Sequence, residues 1–205
     1  FRSENLCSIY EKKGEEEKVQ EELLVLANIS YNSGNYETSL RNCQRMLEFT
    51  PNDINLKLRI AKMAVNLENA AEAVVQFRDV TEIYLDKKMT EPALRTIGSI
   101  LEIDSENIEY RNKLIEILKN QLKTEEATTH YKILISHFLK RKQGDDAINA
   151  ARDAIAMQPL DLDLRKEIIE LFVAGEDTEN ASQFARELID IYLGRGDYDE
   201  VISIY

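Results

Sequence analysis

This sequence returns to the same pattern at a fixed interval. The segments "YLDKKMTEPAL" (84–94), "FLKRKQGDDAI" (138–148) and "YLGRGDYDEVI" (192–202) are equally spaced, which sets a 54-residue period, and the register holds elsewhere without a gap. Leu6, Ile60, Leu114 and Ile168 share one column, and Leu26, Val80, Leu134 and Leu188 share another. Ser39, Ala93, Ala147 and Val201 form a third, Pro51, Ser105 and Pro159 a fourth, and Lys57, Arg111 and Arg165 also coincide. A repeat of this size is a supersecondary unit that must bury its apolar face against its neighbours. The chain therefore reads as a single array of units at about 1–54, 55–108, 109–162 and 163–205.

Within a unit the apolar spacing is helical. In "IEYRNKLIEILKN" (108–120), Ile108, Tyr110/Arg111, Leu114/Ile115 and Leu118 recur at steps of three and four, one face of a helix. A longer helix is expected from Thr124 to Arg141, with Ala127, Tyr131, Leu134 and Phe138 on one stripe. A third is expected from Asp145 to Met157, with Ala147, Ala151 and Ala154 as its small face. Thr90, Thr124, Asp145 and Asp161 can accept from the free N–H groups of a first turn, and mark helix starts. Gly34, Gly144, Gly175 and Gly194/Gly196 mark breaks. Each unit is thus three helices and the chain about twelve. The Gly and Pro content, seven and three residues, leaves little turn chemistry for a many-stranded sheet. The expected fold class is all-α.

"LLVLANISYNSGNYETSLRNCQRMLEFTP" (23–51) resembles a tetratricopeptide repeat (TPR), a helix–turn–helix unit of about 34 residues. Leu23, Leu26, Ala27, Gly34, Tyr36, Ser39, Met46 and Pro51 fall on the signature positions of that family, with Cys43 replacing an aromatic residue. Phe77, Val80, Thr81, Tyr84, Ala93, Ile97 and Ile100 repeat the match, as do Tyr131, Leu134, Ile135, Phe138, Ala147, Ala151, Ala154 and Pro159. A last, partial copy holds Leu188, Ile189, Tyr192, Gly196, Tyr198 and Val201. The resemblance implies a right-handed α-solenoid of stacked antiparallel helices. The spacing departs from the family, because an extra helix such as "DINLKLRIAKMAVNLENAAE" (53–72) separates successive copies. That helix also carries repeat-like residues, Ile60, Ala61 and Ala64, so the long helix can end one repeat and begin the next. The copies are read as interleaved.

Chemistry is sparse. His130 and His137 stand seven residues apart, about 10 Å along one helix, too far to share an ion. The acids of "GEEEK" (14–18) and "KTEEA" (123–127) sit at helix starts and offset the helix dipole. No phosphate-binding glycine loop and no nucleophile constellation is present. No catalytic residue, metal ligand or cofactor is expected. Cys7 and Cys43 read as core residues and favour a reducing compartment, the cytoplasm by mild preference. The net charge of −12 disfavours nucleic acid, and no apolar run is long enough to insert in a bilayer. Arg195-Gly196-Asp197, an adhesion tripeptide elsewhere, occupies the loop column of Lys87-Lys88-Met89 and Arg141-Lys142-Gln143, so a turn role is expected.

What remains is a surface for a protein or peptide. Lys62, Glu116 and Glu170 share one exposed column, and Asn66 and Asn120 another; Asn28, Asn32, Arg59 and Asn112 add hydrogen-bonding groups. Some TPR proteins clamp a terminal carboxylate with a Lys and two Asn, but Leu24 stands at the first clamp position and that role is not carried over. The expected function is a non-catalytic interaction scaffold. The alternatives are a docking segment of a larger enzyme or of a secretion or assembly machine, and a receptor enclosing a small ligand. Phe1, Leu6, Cys7, Ile9 and Tyr10 at one end, and Val201, Ile202, Ile204 and Tyr205 at the other, leave neither end capped. The expectation is an array that continues in a longer protein, or self-association end to end.

Overall fold

A computed structural model of the chain describes residues 2–204, with side chains from 3 to 202. Phe1, Tyr205 and the Ile204 side chain, invoked above as uncapped ends, lie outside the described residues. The helices are α1 (Arg2–Lys13), α2 (Glu16–Asn32), α3 (Tyr36–Phe49), α4 (Ile54–Asn66), α5 (Ala70–Asp86) and α6 (Thr90–Ile103). They continue as α7 (Ile108–Asn120), α8 (Thr124–Lys140), α9 (Gly144–Met157), α10 (Leu162–Ala174), α11 (Thr178–Arg195) and α12 (Tyr198–Ile204). No strand occurs among the described residues. From α2 onward, every helix start recurs one period later: Glu16, Ala70, Thr124 and Thr178 open the long helices. Two compact units divide the chain, residues 1–105 with α1–α6 and residues 106–205 with α7–α12.

The turns repeat as faithfully as the helices. After α2, the Gly34 N–H donates to the Tyr31 carbonyl at 3.0 Å and the Asn35 N–H to the Ser30 carbonyl at 2.8 Å. With Gly34 left-handed at φ 76°, this is a Schellman closure that satisfies two orphan carbonyls. The same pair of bonds closes the turns at Lys88, Lys142 and Gly196, and again at Gly14, Glu68, Leu122 and Glu176, all left-handed. Gly196 is therefore a helix terminator at φ 79°, which answers for the Arg195-Gly196-Asp197 tripeptide. The third turn of each period differs. There Asp53, Asn107 and Asp161 cap α4, α7 and α10 by accepting from the N–H groups of Leu56, Tyr110 and Leu164.

Two sequence expectations are corrected here. Thr90 and Thr124 are the first residues inside their helices, and Asp145 lies one residue in. The cap positions are held by Met89, Lys123 and Gln143, none of which makes a side-chain cap bond. The Schellman closure already fixes the entry to the next helix, so a side-chain cap is dispensable. Gly144 and Gly194 fall inside α9 and α11 rather than at breaks, and Gly175 ends α10 with an ordinary φ of −82°.

Within each unit the helices form two layers. In residues 1–105, Glu11 of α1 pairs with Arg45 of α3, and the Gln44 amide of α3 donates to Glu72 of α5 at 3.4 Å. Arg59 of α4 lies 5.7 Å from the ring centre of Tyr31 at the end of α2. Odd-numbered and even-numbered helices thus stand in separate layers. In residues 106–205, Lys132–Glu167 joins α8 to α10, Lys166–Glu200 joins α10 to α12, and Arg152–Glu187 joins α9 to α11. These partners are 34 or 35 residues apart in sequence. The spacing of a TPR thus reappears in space although the sequence repeats with a longer period of three helices.

Apolar columns fill the space between layers. Val80, Leu134 and Leu188 are buried, as are Ile60 and Ile168 of the second column. Ser39, Ala93 and Ala147 are fully buried small residues that let helices approach closely, and the Ser39 hydroxyl donates to the Ala27 carbonyl at 2.8 Å. Both cysteines are free and buried, in the core role expected of them.

Candidate functional site

A groove of about 710 Å³ opens in residues 1–105 between α4 and α6, over α5. Leu58, Lys62, Val65 and Asn66 form the α4 wall, and Pro92, Arg95, Ser99 and Glu102 stand on the α6 wall. Phe77 and Tyr84 of α5 make the floor, and Tyr31 of α2 extends the aromatic surface. These residues line one groove because α4 and α6 belong to one layer and α5 to the other. Phe77 is nearly buried, while Val65 and Tyr31 remain more than two-fifths exposed. The Arg59 guanidinium, stacked on Tyr31, holds that ring against α4.

The repeat provides an internal comparison, because the same columns build a groove in the first two periods. Between α1 and α3, over α2, Glu4, Ser8, Glu11, Ser30, Thr38, Arg41 and Arg45 occupy the positions of Leu58, Lys62, Val65, Tyr84, Pro92, Arg95 and Ser99. That groove measures about 310 Å³. The Glu11–Arg45 ion pair crosses it and ties its walls together. In the last repeat, Lys166 reaches from α10 to Glu200 of α12 at 2.9 Å and lies 5.6 Å from the ring centre of Tyr192. Both partners hold the Lys166 ammonium above its usual pKa. In the third, burial and the negative charge of Asp153 raise the pKa of the floor residue Tyr131.

Each of these ties is missing between α4 and α6. Val65 and Ser99 replace the Glu11–Arg45 pair, and Leu58 and Pro92 replace Lys166–Glu200. Among the described residues no side-chain hydrogen bond or ion pair joins the lining residues of α4 to those of α6. The groove is consequently wide, apolar at its base and open to solvent.

Of the residues expected to form a surface, Lys62 and Asn66 line this groove and Arg59 supports it through Tyr31. Asn28 and Asn32 are exposed on α2 but do not line it. Asn112, Glu116 and Asn120 are exposed on α7, and Glu170 on α10, in the second unit. Asn66 and Asn120 are the last residues of their helices. Tyr31, Val65, Phe77, Tyr84, Arg95 and Ser99 escape a reading of the sequence for exposed polar groups. The signal for them was present, since one repeat carries apolar or small residues where its siblings carry charged pairs.

Away from the groove, the two histidines do different things. Nδ1 of His130 lies 3.1 Å from the guanidinium of the buried Arg111. Burial and that positive charge lower the His130 pKa, while Glu126 opposes them weakly. His137 is buried with Nδ1 3.8 Å from Glu106. No cluster of three or more potential metal ligands occurs among the described residues, and no helix there is long and apolar enough to cross a membrane.

No family model matches the chain. No curated protein matches it either. Among solved structures, a TPR repeats protein from Bacteroides fragilis is similar over 90% of this chain and 95% of its own, at 16% identity and a TM-score of 0.51. An assembly chaperone of RpL4 (Acl4) aligns over 85% of this chain and 75% of its own, at 11% identity and a TM-score of 0.44. The likeness to the Bacteroides protein establishes a TPR-like helical-repeat fold.

Proposed function

We propose that this chain is a non-catalytic protein-interaction scaffold whose α4/α6 groove receives a segment of a partner protein. The observation that carries the reading is the open groove of about 710 Å³, which has neither of the wall-to-wall ties seen in sibling repeats, Glu11–Arg45 and Lys166–Glu200. Those ties are exposed ion pairs, which add little stability, so their absence costs the fold little and leaves the walls free to take a partner. The lining contains neither His nor Cys, and its Lys, Arg and Glu stand without the nucleophile–base pairing that covalent catalysis requires. Apolar floor, aromatic anchors and a few polar rim groups suit peptide capture.

The test uses the sibling repeat as its guide. A photo-crosslinking residue at Ser99 should form protein adducts in the source cells, whereas one at Ser8, in the tied α1/α3 groove, should not. The double substitution Val65→Glu, Ser99→Arg installs the Glu11–Arg45 tie between α4 and α6. Partners captured by the wild-type chain should be lost with helicity unchanged. Retention of the same partners by this variant, or equal labelling from Ser8, would remove the α4/α6 groove as the docking site.

A further inference from the structure

We propose that the occupant of the α4/α6 groove is an acidic protein segment, in which side-chain carboxylates are interspersed with aromatic or branched aliphatic residues. This rests on the reading of the groove as a docking site and goes further by fixing the partner's chemistry. Each wall contributes one cation, Lys62 from α4 and Arg95 from α6, and neither has an ion-pair partner among the described residues. Glu102, near the end of α6, is the one acid in the lining. The groove is therefore net positive in a chain whose net charge is −12. The tied α1/α3 groove has Glu4 and Glu11 against Arg41 and Arg45, two acids and two bases. Its position equivalent to Lys62 is Ser8, and the later repeats have Glu116 and Glu170 there. A lysine enters this column only in the repeat whose groove is open.

The apolar half of the partner follows from the floor. Phe77, Tyr84 and Tyr31 offer aromatic faces, and Val65, Leu58 and Ile103 offer aliphatic ones. A small free anion would leave that surface wet, whereas a peptide segment covers it while placing carboxylates against the walls. Depth along the groove argues for internal carboxylates rather than a chain terminus. Lys62 lies about 12 Å and Arg95 about 8 Å from the N-terminal ends of their helices at 1.5 Å per residue. The cations thus face the middle of the groove. The surrounding negative charge also gives specificity: screened beyond about 8 Å at physiological salt, it disfavours unselective contact with acidic chains without cancelling attraction at the two cations.

A displayed library of random peptides selected on the whole chain tests both the chemistry and the docking reading. Selected sequences should be rich in Asp and Glu together with Phe, Tyr, Leu or Ile. Resynthesised with acetylated and amidated ends, they should still bind. Their affinity should fall about tenfold or more in Lys62→Glu, Arg95→Glu protein, and more salt should weaken them. Selection repeated on the charge-reversed protein should yield Lys- and Arg-bearing peptides. Neutral or basic winners that are lost on Val65→Glu, Ser99→Arg closure would overturn the acidic occupant while leaving the docking site standing. Winners indifferent to that closure, or no winners, would overturn both. Binding that requires a free C-terminal carboxylate, or that inorganic phosphate alone abolishes, would overturn the internal acidic segment.

Discussion

Replacing glycine by alanine should have opposite effects at two positions of this chain, and the difference isolates one physical cause. Gly34 occupies a Schellman turn at φ 76°, and Gly98 lies inside α6. A Cβ added at either would meet nothing within 4 Å, so packing contributes to neither change. At Gly34 an L-residue must adopt the left-handed conformation at a cost of about 1–2 kcal/mol, offset by about 0.5–1 kcal/mol from the stiffer unfolded chain. Gly34→Ala should therefore destabilise by roughly 0.5–1 kcal/mol. At Gly98 no strain arises and helix propensity favours alanine, so Gly98→Ala should stabilise by about 0.8–1 kcal/mol. The repeat supplies the reverse experiment. Glu68, Lys88 and Leu122 hold the same left-handed position as glycines in sibling turns, and Leu122 is 84% exposed, so truncating it sacrifices no burial. Each change to Gly should gain roughly 0.5–1 kcal/mol, and the three, lying in separate turns, should add.

Urea midpoints at constant slope would read these changes, and hydrogen exchange at the affected turns would confirm that they are local. In a unit of this size a change of 1 kcal/mol moves the melting temperature by about 4–8 °C, well within measurement. Shifts of the same sign in Gly34→Ala and Gly98→Ala would exclude backbone strain as the deciding cause. Loss of stability in Lys88→Gly and Leu122→Gly would exclude it as well, since it would show that those side chains contribute more than their backbone strain costs.

Three further outcomes are expected. The Thr81 hydroxyl lies 2.7 Å from that of Thr96 in the core, where the next repeat holds Ile135 and Ala150. Thr81→Ile alone should cost about 1–3 kcal/mol by overpacking, and adding Thr96→Ala should recover much of it, so a double-mutant cycle by denaturation should show coupling. Because the folded-state pKa of His130 lies below its unfolded value, the unfolded chain binds the extra proton first as pH falls. His130 should therefore contribute stability above about pH 6.5 that is lost as pH drops towards its folded pKa, and unfolding free energies of His130→Gln against pH should lack that loss. Gly175→Ala would place a Cβ 2.8 Å from Cβ of Leu139. This should destabilise by about 1–3 kcal/mol in a thermal melt, despite an ordinary backbone angle.

The fold is legible because the period is exact enough to align columns by eye, and because small residues such as Ser39, Ala93 and Ala147 recur where helices touch. Helix entries are less legible. Met89, Lys123 and Gln143 look nothing like caps, yet their helices begin there because the preceding turn closes by backbone bonds alone. The groove is least legible. Lys62 and Asn66 stand out as exposed polar residues, but Val65 and Ser99 matter through what is absent from them, and that requires knowing which columns face each other.

The deeper reason lies in a mismatch of periods. The sequence repeats every three helices, whereas a two-layered stack of helices repeats every two. Helices from the same column therefore alternate between layers: α1 stands with α3, but its equivalent α4 stands with α2 and α6. The same alternation puts α8 beside α10 and its equivalent α11 beside α9. Equivalent grooves in successive repeats thus open on opposite sides of a unit, one floored by α2 and the next by α5. Selection for a binding face must act on single repeats and make them unlike their siblings. The α4/α6 groove fits that requirement: its repeat keeps the shared core columns and departs from the other repeats at Leu58, Lys62, Pro92 and Ser99, on the walls of the groove.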